Sequence, residues 1–190
     1  MKKKITSLKN AVMTIGGVAL FRLIPHIPNA TPLGYMLVLS ARRKGLIYAM
    51  LVLGLSLFIS DLILGFYGWQ VMLGVYLSFV GYIVVARYLI TNESISSRSY
   101  ALASGAFLFF LGSNTAVWLF SPMYVNDITG LTASLVAGLP FLGTMLVGDF
   151  ASLSIHEALK AAVRYKKAKH MQPVSDPPTY TSPQAGHHLS

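Results

Sequence analysis

A chain of 190 residues that is 54% hydrophobic and only 11% charged lies far from the roughly 25% charged residues of ordinary soluble domains. That balance excludes a soluble globular domain and a disordered chain, and makes the lipid bilayer the principal solvent and partner. The lack of cysteine removes disulfides, thiolate metal sites and cysteine nucleophiles, and the net charge of +9 must be tested against membrane topology before nucleic acid is invoked.

Six apolar runs follow in chain order. The first extends from Ile5 to Ile24. Lys2 to Lys4 resemble the basic start of a signal peptide, but Arg22, Pro25 and Pro28 follow instead of a small-residue cleavage site, so the segment reads as a retained helix. The second run, Pro32 to Ala41, is too short to cross. Arg42, Arg43 and Lys44 pin its end at the inner interface, and Thr31 is a good N-cap before a proline suited to the first helical position. Pro32 to Arg43 makes about 18 Å of helix in a hydrocarbon core of about 30 Å. Pro32 should therefore sit roughly 12 Å below the outer surface, and the loop Pro25 to Thr31 must dip into the membrane in a re-entrant manner. Irregular backbone at that depth is tolerated only in packed protein or beside a wet cavity, and a helix N-terminus there attracts an anionic group. Both a cavity and a packed cap are open.

The third run, Gly45 to Phe66, carries Asp61 at about 24 Å from the inner interface, level with Arg22. The two are expected to pair, to contact a ligand, or, for Arg22, to snorkel to headgroups. The fourth run, Gln70 to Arg87, spans about 27 Å. The fifth, Tyr100 to Phe120, places Asn114 about 21 Å up, as interhelical glue or a ligand contact, with Trp118 one turn further out as a belt anchor or a stacking surface. The sixth, Leu131 to about Ile155, carries Asp149 and His156 on one face. They form an inner-side polar network, either a proton relay or a capping and salt-bridging group with Arg87 or Arg98. Small residues at packing intervals are Gly74 with Gly81, Gly105 with Gly112, and Ala133 with Ala137. Gly16, Gly17 and Ala19 make the first helix smooth on one side.

With both termini cytoplasmic, fourteen of the fifteen basic residues lie inside and only Arg22 outside. The basic excess is thus topological, and no nucleic-acid partner is expected. Residues 1–160 read as an all-α six-helix transmembrane bundle. Residues 161–190 read as a cytoplasmic tail, basic and then rich in Pro, Ser and Thr, disordered and carrying an incidental pair, His187 and His188.

The stretches RLIPHIPNATPLG (Arg22 to Gly34), SDLILGFYGW (Ser60 to Trp69), VYLSF (Val75 to Phe79), SNTAVWLF (Ser113 to Phe120) and LTASLVAGLPFLGTMLVGD (Leu131 to Asp149) together resemble a family of uncharacterised bacterial membrane proteins regarded as transport proteins. That family is similar in fold to the substrate-binding S components of energy-coupling factor transporters. The resemblance covers about residues 20 to 157. It implies six helices, cytoplasmic termini in the bacterial inner membrane, an outward pocket shaped by the first outer loop, and an ATPase and coupling module as a partner. The chain departs from the family in carrying Asn114-Thr115 where Asn-Phe is expected, Tyr35 where a small residue is usual, and only Gly16, Gly17 and Ala19 where alanines face the coupling subunit.

The expectation is a small-molecule uptake protein for a vitamin-like or anionic solute. Arg22, His26, Asn29, Thr31, Asp61, Asn114 and Trp118 would form its site, with no cofactor and no metal. The alternatives are a non-transporting scaffold or accessory subunit and, more remotely, an intramembrane enzyme built on Asp149 and His156. The chain has no phosphate-binding loop of the G-x-x-x-x-G-K-[ST] kind.

Overall fold

A computed structural model describes residues 2–24, 29–90, 92 and 94–171. Six helices follow one another: α1 (Lys2–Leu23), α2 (Leu33–Lys44), α3 (Leu46–Leu64), α4 (Trp69–Leu89), α5 (Ile95–Phe120) and α6 (Ile128–Met171). Four of them, Leu46–Leu64, Trp69–Leu89, Ile95–Phe120 and Ile128–Lys169, are long and apolar enough to cross a membrane. The chain is therefore a multi-pass membrane protein by length and composition. Outward-facing side chains on the spans are apolar, among them Ile47, Phe58, Leu62, Leu77 and Phe107, as contact with lipid requires.

α4 and α5 approach most closely where glycine removes the side chain. A Cβ on Gly74 would strike Ala116, one on Gly112 would strike Ser78, and one on Gly105 would lie 2.5 Å from the Tyr82 ring. The glycine pairs at seven-residue spacing thus pack as the sequence predicts. The expected contact through Ala133 and Ala137 is displaced by one residue. Those alanines are exposed, and Ser134 and Gly138 are buried in their place. Ser134 donates to the Asn114 carbonyl at 2.9 Å, and this bond sets the rotation of α6. α6 also runs through Pro140, whose missing N–H frees the carbonyl one turn earlier.

The chain forms two compact units that meet between Ile155 and His156. In the second, α6 continues through Lys160, Arg164, Lys166, Lys167 and Lys169 to Met171. The basic stretch expected as the start of the tail is thus helical as far as Met171. Alanine, leucine, lysine and arginine are strong helix formers, and cations near a helix C-terminus are stabilised by its dipole. Lys160 pairs with Glu157 at 3.1 Å across one turn. Residues 172–190, with His187 and His188, lie outside the described residues.

Candidate functional site

Arg22, in the last turn of α1, reaches across to α3. Its Nε donates to Ser60 Oγ at 2.8 Å and its Nη2 to Asp61 Oδ1 at 2.9 Å. The other Asp61 oxygen accepts from the Tyr76 hydroxyl of α4 at 2.7 Å. Asp61 is 3% exposed, so its carboxylate is wholly engaged by one guanidinium and one phenol. The Arg22 side chain keeps 22% exposure, and most of its five N–H donors are not used by Ser60 and Asp61.

That exposed side of Arg22 lines a cavity of about 260 Å³. α4 contributes Val75 and Phe79; α5 contributes Phe109, Phe110, Ser113, Asn114 and Val117; α6 contributes Gly138, Phe141, Leu142 and Met145. Asn29 and Tyr67 close it from two loops. Asn29 holds the left-handed conformation, φ 62°, which asparagine tolerates better than most residues. Its carbonyl accepts from the Thr31 N–H at 2.8 Å. Asn114 Nδ2 donates to the Phe110 carbonyl at 2.8 Å, and its amide lies against Gly138, where a Cβ would come within 2.5 Å. Burial and the nearby Asp61 charge raise the pKa of Tyr67 above the ordinary phenol value, so its hydroxyl stays protonated beside the cavity and able to donate.

The start of α2 is held by packing against α6 and α4. α2 begins at Leu33, with Pro32 as N-cap and no side-chain capping bond from its own segment. Thr31, expected as the cap, is buried and does not line the cavity. The capping oxygen comes from α6: the Tyr35 N–H in the first turn of α2 donates to Asp149 Oδ1 at 2.7 Å. The Tyr82 hydroxyl donates to Asp149 Oδ2 at 2.9 Å. Gly34 makes room, since a Cβ there would sit 2.5 Å from Asp149 Oδ2 and 2.6 Å from the Tyr82 ring. Gly148 does the same for the loop, whose Thr31 N would lie 2.9 Å from an added Cβ. The acceptor set against the buried helix N-terminus is therefore the chain's own Asp149. The expected pairing of Asp149 with Arg87 or Arg98 is replaced by these two bonds, and His156 falls in the second compact unit.

Trp118 is not on the cavity wall. Its Nε1 donates to the Val125 carbonyl at 3.0 Å and ties the α5–α6 connection back to α5. Trp118→Phe is expected to cost about 0.5–1 kcal/mol and to speed proteolysis between residues 121 and 127, with no change in ligand affinity. Limited digestion beside a binding titration checks this. His26 lies outside the described residues. Helix rise and apolar patterning do not single out Ser60 or Tyr76, because a hydroxyl on an apolar run reads as part of that run, nor Tyr67, which lies in the link between two runs. Among the described residues no three His, Asp or Glu side chains converge as a metal site.

Residues 2–171 match the family of unknown function DUF6580. The chain belongs to that family. No curated protein and no solved structure matches it. The DUF6580 match ends at the last residue of α6, so the basic helical extension is part of the family's unit, whereas residues 172–190 are not.

Proposed function

We propose that this DUF6580 protein binds a small, flat, neutral solute in an outward-facing cavity and serves its uptake across the bacterial inner membrane, with both termini cytoplasmic. The observation that carries the reading is the cavity of about 260 Å³ between Arg22, Asn29 and Asn114 and the rings of Phe79, Phe109, Phe110 and Phe141. It lies at the α1 C-terminus and the α5 C-terminal half. Arg42, Arg43, Lys44, Arg87 and Arg98 occupy the opposite helix ends, which the positive-inside rule places in the cytoplasm.

Size and charge narrow the ligand. An apolar cavity of about 150 Å³ takes one benzene ring, and common ligand sites begin near 300 Å³, so one or two fused rings suit this one. Arg22 is already neutralised by Asp61 at 2.9 Å. A carboxylate or phosphate entering the cavity would leave one uncompensated charge beside the rings of Phe79, Phe109, Phe110 and Phe141. A vitamin-like heterocycle with carbonyl or ring-nitrogen acceptors satisfies the remaining Arg22 donors without that cost. The short α2 supports the likeness to S components of energy-coupling factor transporters, whose ATPase and coupling module would supply the energy. Asp149, committed to Tyr35 and Tyr82, argues against an intramembrane enzyme.

A thermal-shift panel of neutral heteroaromatic amides against the matching carboxylates tests the reading on purified protein. A neutral member should raise the melting midpoint, and Asn114→Leu should weaken its affinity about tenfold through loss of one buried hydrogen-bonding group. Failure of every neutral member to stabilise the protein would sink the proposal.

A further inference from the structure

The polar groups of the solute cavity are not equivalent, because each has a different hydrogen-bonding capacity left over. Arg22 carries N–H donors and no acceptor. Its Nε is used by Ser60 and one N–H of Nη2 by Asp61, so the Arg22 wall presents donors alone. Tyr67 adds a phenol that stays protonated.

α5 is built differently. Ser113 and Asn114 are neighbours on the helix, both line the cavity, and each turns a donor back onto the carbonyl four residues earlier. The Ser113 hydroxyl donates to the Phe109 carbonyl at 2.7 Å, and Asn114 Nδ2 donates to the Phe110 carbonyl at 2.8 Å. A carbonyl only accepts, so the amide nitrogen must be the atom on Phe110. Asn114 keeps its Oδ1 and one N–H, neither of them bonded among the described residues, and can meet a donor or an acceptor. Ser113 cannot do both. A hydroxyl has one proton, and that of Ser113 is committed to Phe109, so only its oxygen lone pairs remain for a ligand. Turning the proton away would break a short bond at a residue that is 9% exposed. The other side chains of α4, α5 and α6 around the cavity are apolar.

We infer, on the reading that the cavity holds a flat neutral solute, that this solute bears an N–H or NH2 donor on the edge against Ser113 and an acceptor on a separate edge against Arg22. Its class is therefore an N–H-bearing heteroaromatic amide or amine, not an ester, a tertiary amide or a ring with acceptors alone. Ser113 makes the selection. An acceptor placed on it would set two lone-pair oxygens against each other beside the Phe109 and Phe110 rings, and neither would find a proton. A donor placed there completes the serine, while the carbonyl or ring nitrogen of the solute takes the free Arg22 protons. A site built to receive an N–H rejects the analogue that lacks it.

Binding of matched neutral pairs to the purified full chain tests this order of edges. Nicotinamide and quinoline-3-carboxamide carry the N–H. Their methyl esters keep the ring nitrogen and the carbonyl and have no donor. The wild type should bind each carboxamide about tenfold tighter than its ester, the effect of one buried hydrogen bond. Ser113→Ala should bring that ratio close to one by weakening the carboxamide and leaving the ester as it was. Asn114→Leu should weaken both, since Asn114 takes either edge. Equal affinity for amide and ester in the wild type, or a ratio that survives Ser113→Ala, would overturn the inference and leave the neutral-solute role of the cavity standing. Binding of no neutral compound, in these pairs or in the wider panel, would strike that role and the inference with it. The wild-type ratio decides the donor edge even if Ser113→Ala fails to fold.

Discussion

Asp149→Ala is expected to destabilise the protein by about 3–5 kcal/mol, the range for removing one partner from a buried, fully engaged polar group. Asp149 is fully buried and joins three helices: it sits on α6, accepts from the α2 backbone at Tyr35 and accepts from Tyr82 on α4. Its loss orphans a backbone N–H and a phenol with no water to replace the carboxyl. It also leaves the α2 N-terminus uncapped where Leu33, Gly34 and Tyr35 are buried in packed protein. Asp149→Asn keeps an acceptor for Tyr35, and the Tyr82 hydroxyl can rotate to accept from the new amide. The cost should fall to about 1–2 kcal/mol. Gly34→Ala attacks the same joint from the other side. Its Cβ would need the space of Asp149 Oδ2 and the Tyr82 ring, an overpacking worth about 1–3 kcal/mol. The two substitutions combined should cost less than their sum, because Asp149→Ala vacates the space that the Gly34→Ala methyl needs. Equilibrium unfolding of the purified variants, followed by tyrosine and tryptophan fluorescence, measures all four. An unchanged midpoint for Asp149→Ala would remove the capping role.

The shortness of α2 is legible from Thr31-Pro32 at one end and Arg42, Arg43 and Lys44 at the other, because both limits are local. The identity of the cap is not, because Asp149 lies 114 residues from Tyr35 and only tertiary packing joins them. The level of Arg22 with Asp61 follows from helix rise alone, and the structure joins them at 2.9 Å. Tyr76, which completes that group, is hidden because its ring belongs to the apolar run and only its hydroxyl matters. The displaced contact face of α6 shows a further limit. One residue is about 100° of helix, and the small residues Ala133 and Ser134 are equally eligible until the Ser134 hydroxyl finds the Asn114 carbonyl. The length of α6 beyond its apolar run, which ends near Ile155, has another cause. A bilayer criterion stops at the last apolar residue, whereas helix propensity carries the chain on through its lysines.

Arg22→Gln is expected to cost about 2–4 kcal/mol, somewhat below the range for breaking a fully buried pair because the guanidinium retains some exposure. The cost arises from Asp61, which loses its guanidinium partner in the core and retains the Tyr76 phenol. Asp61→Asn strands the opposite charge, but at the wall of the cavity. The consequence is functional as well as structural. With Asp61 neutral, Arg22 becomes an unneutralised cation facing the ligand, and the preference should invert from neutral heterocycles toward their carboxylates. Arg22→Gln with Asp61→Asn removes both charges. It should return stability to within about 1 kcal/mol of the wild type, as isosteric neutral replacements of buried pairs commonly do. A double-mutant cycle should then give a coupling near the upper end of the 0.5–3 kcal/mol seen for contacting residues. Additive single costs would mean that the two groups act independently. A carboxylate that binds the wild type as tightly as Asp61→Asn would mean that the pair does not set the charge of the cavity, and the choice of a neutral solute would fall with it.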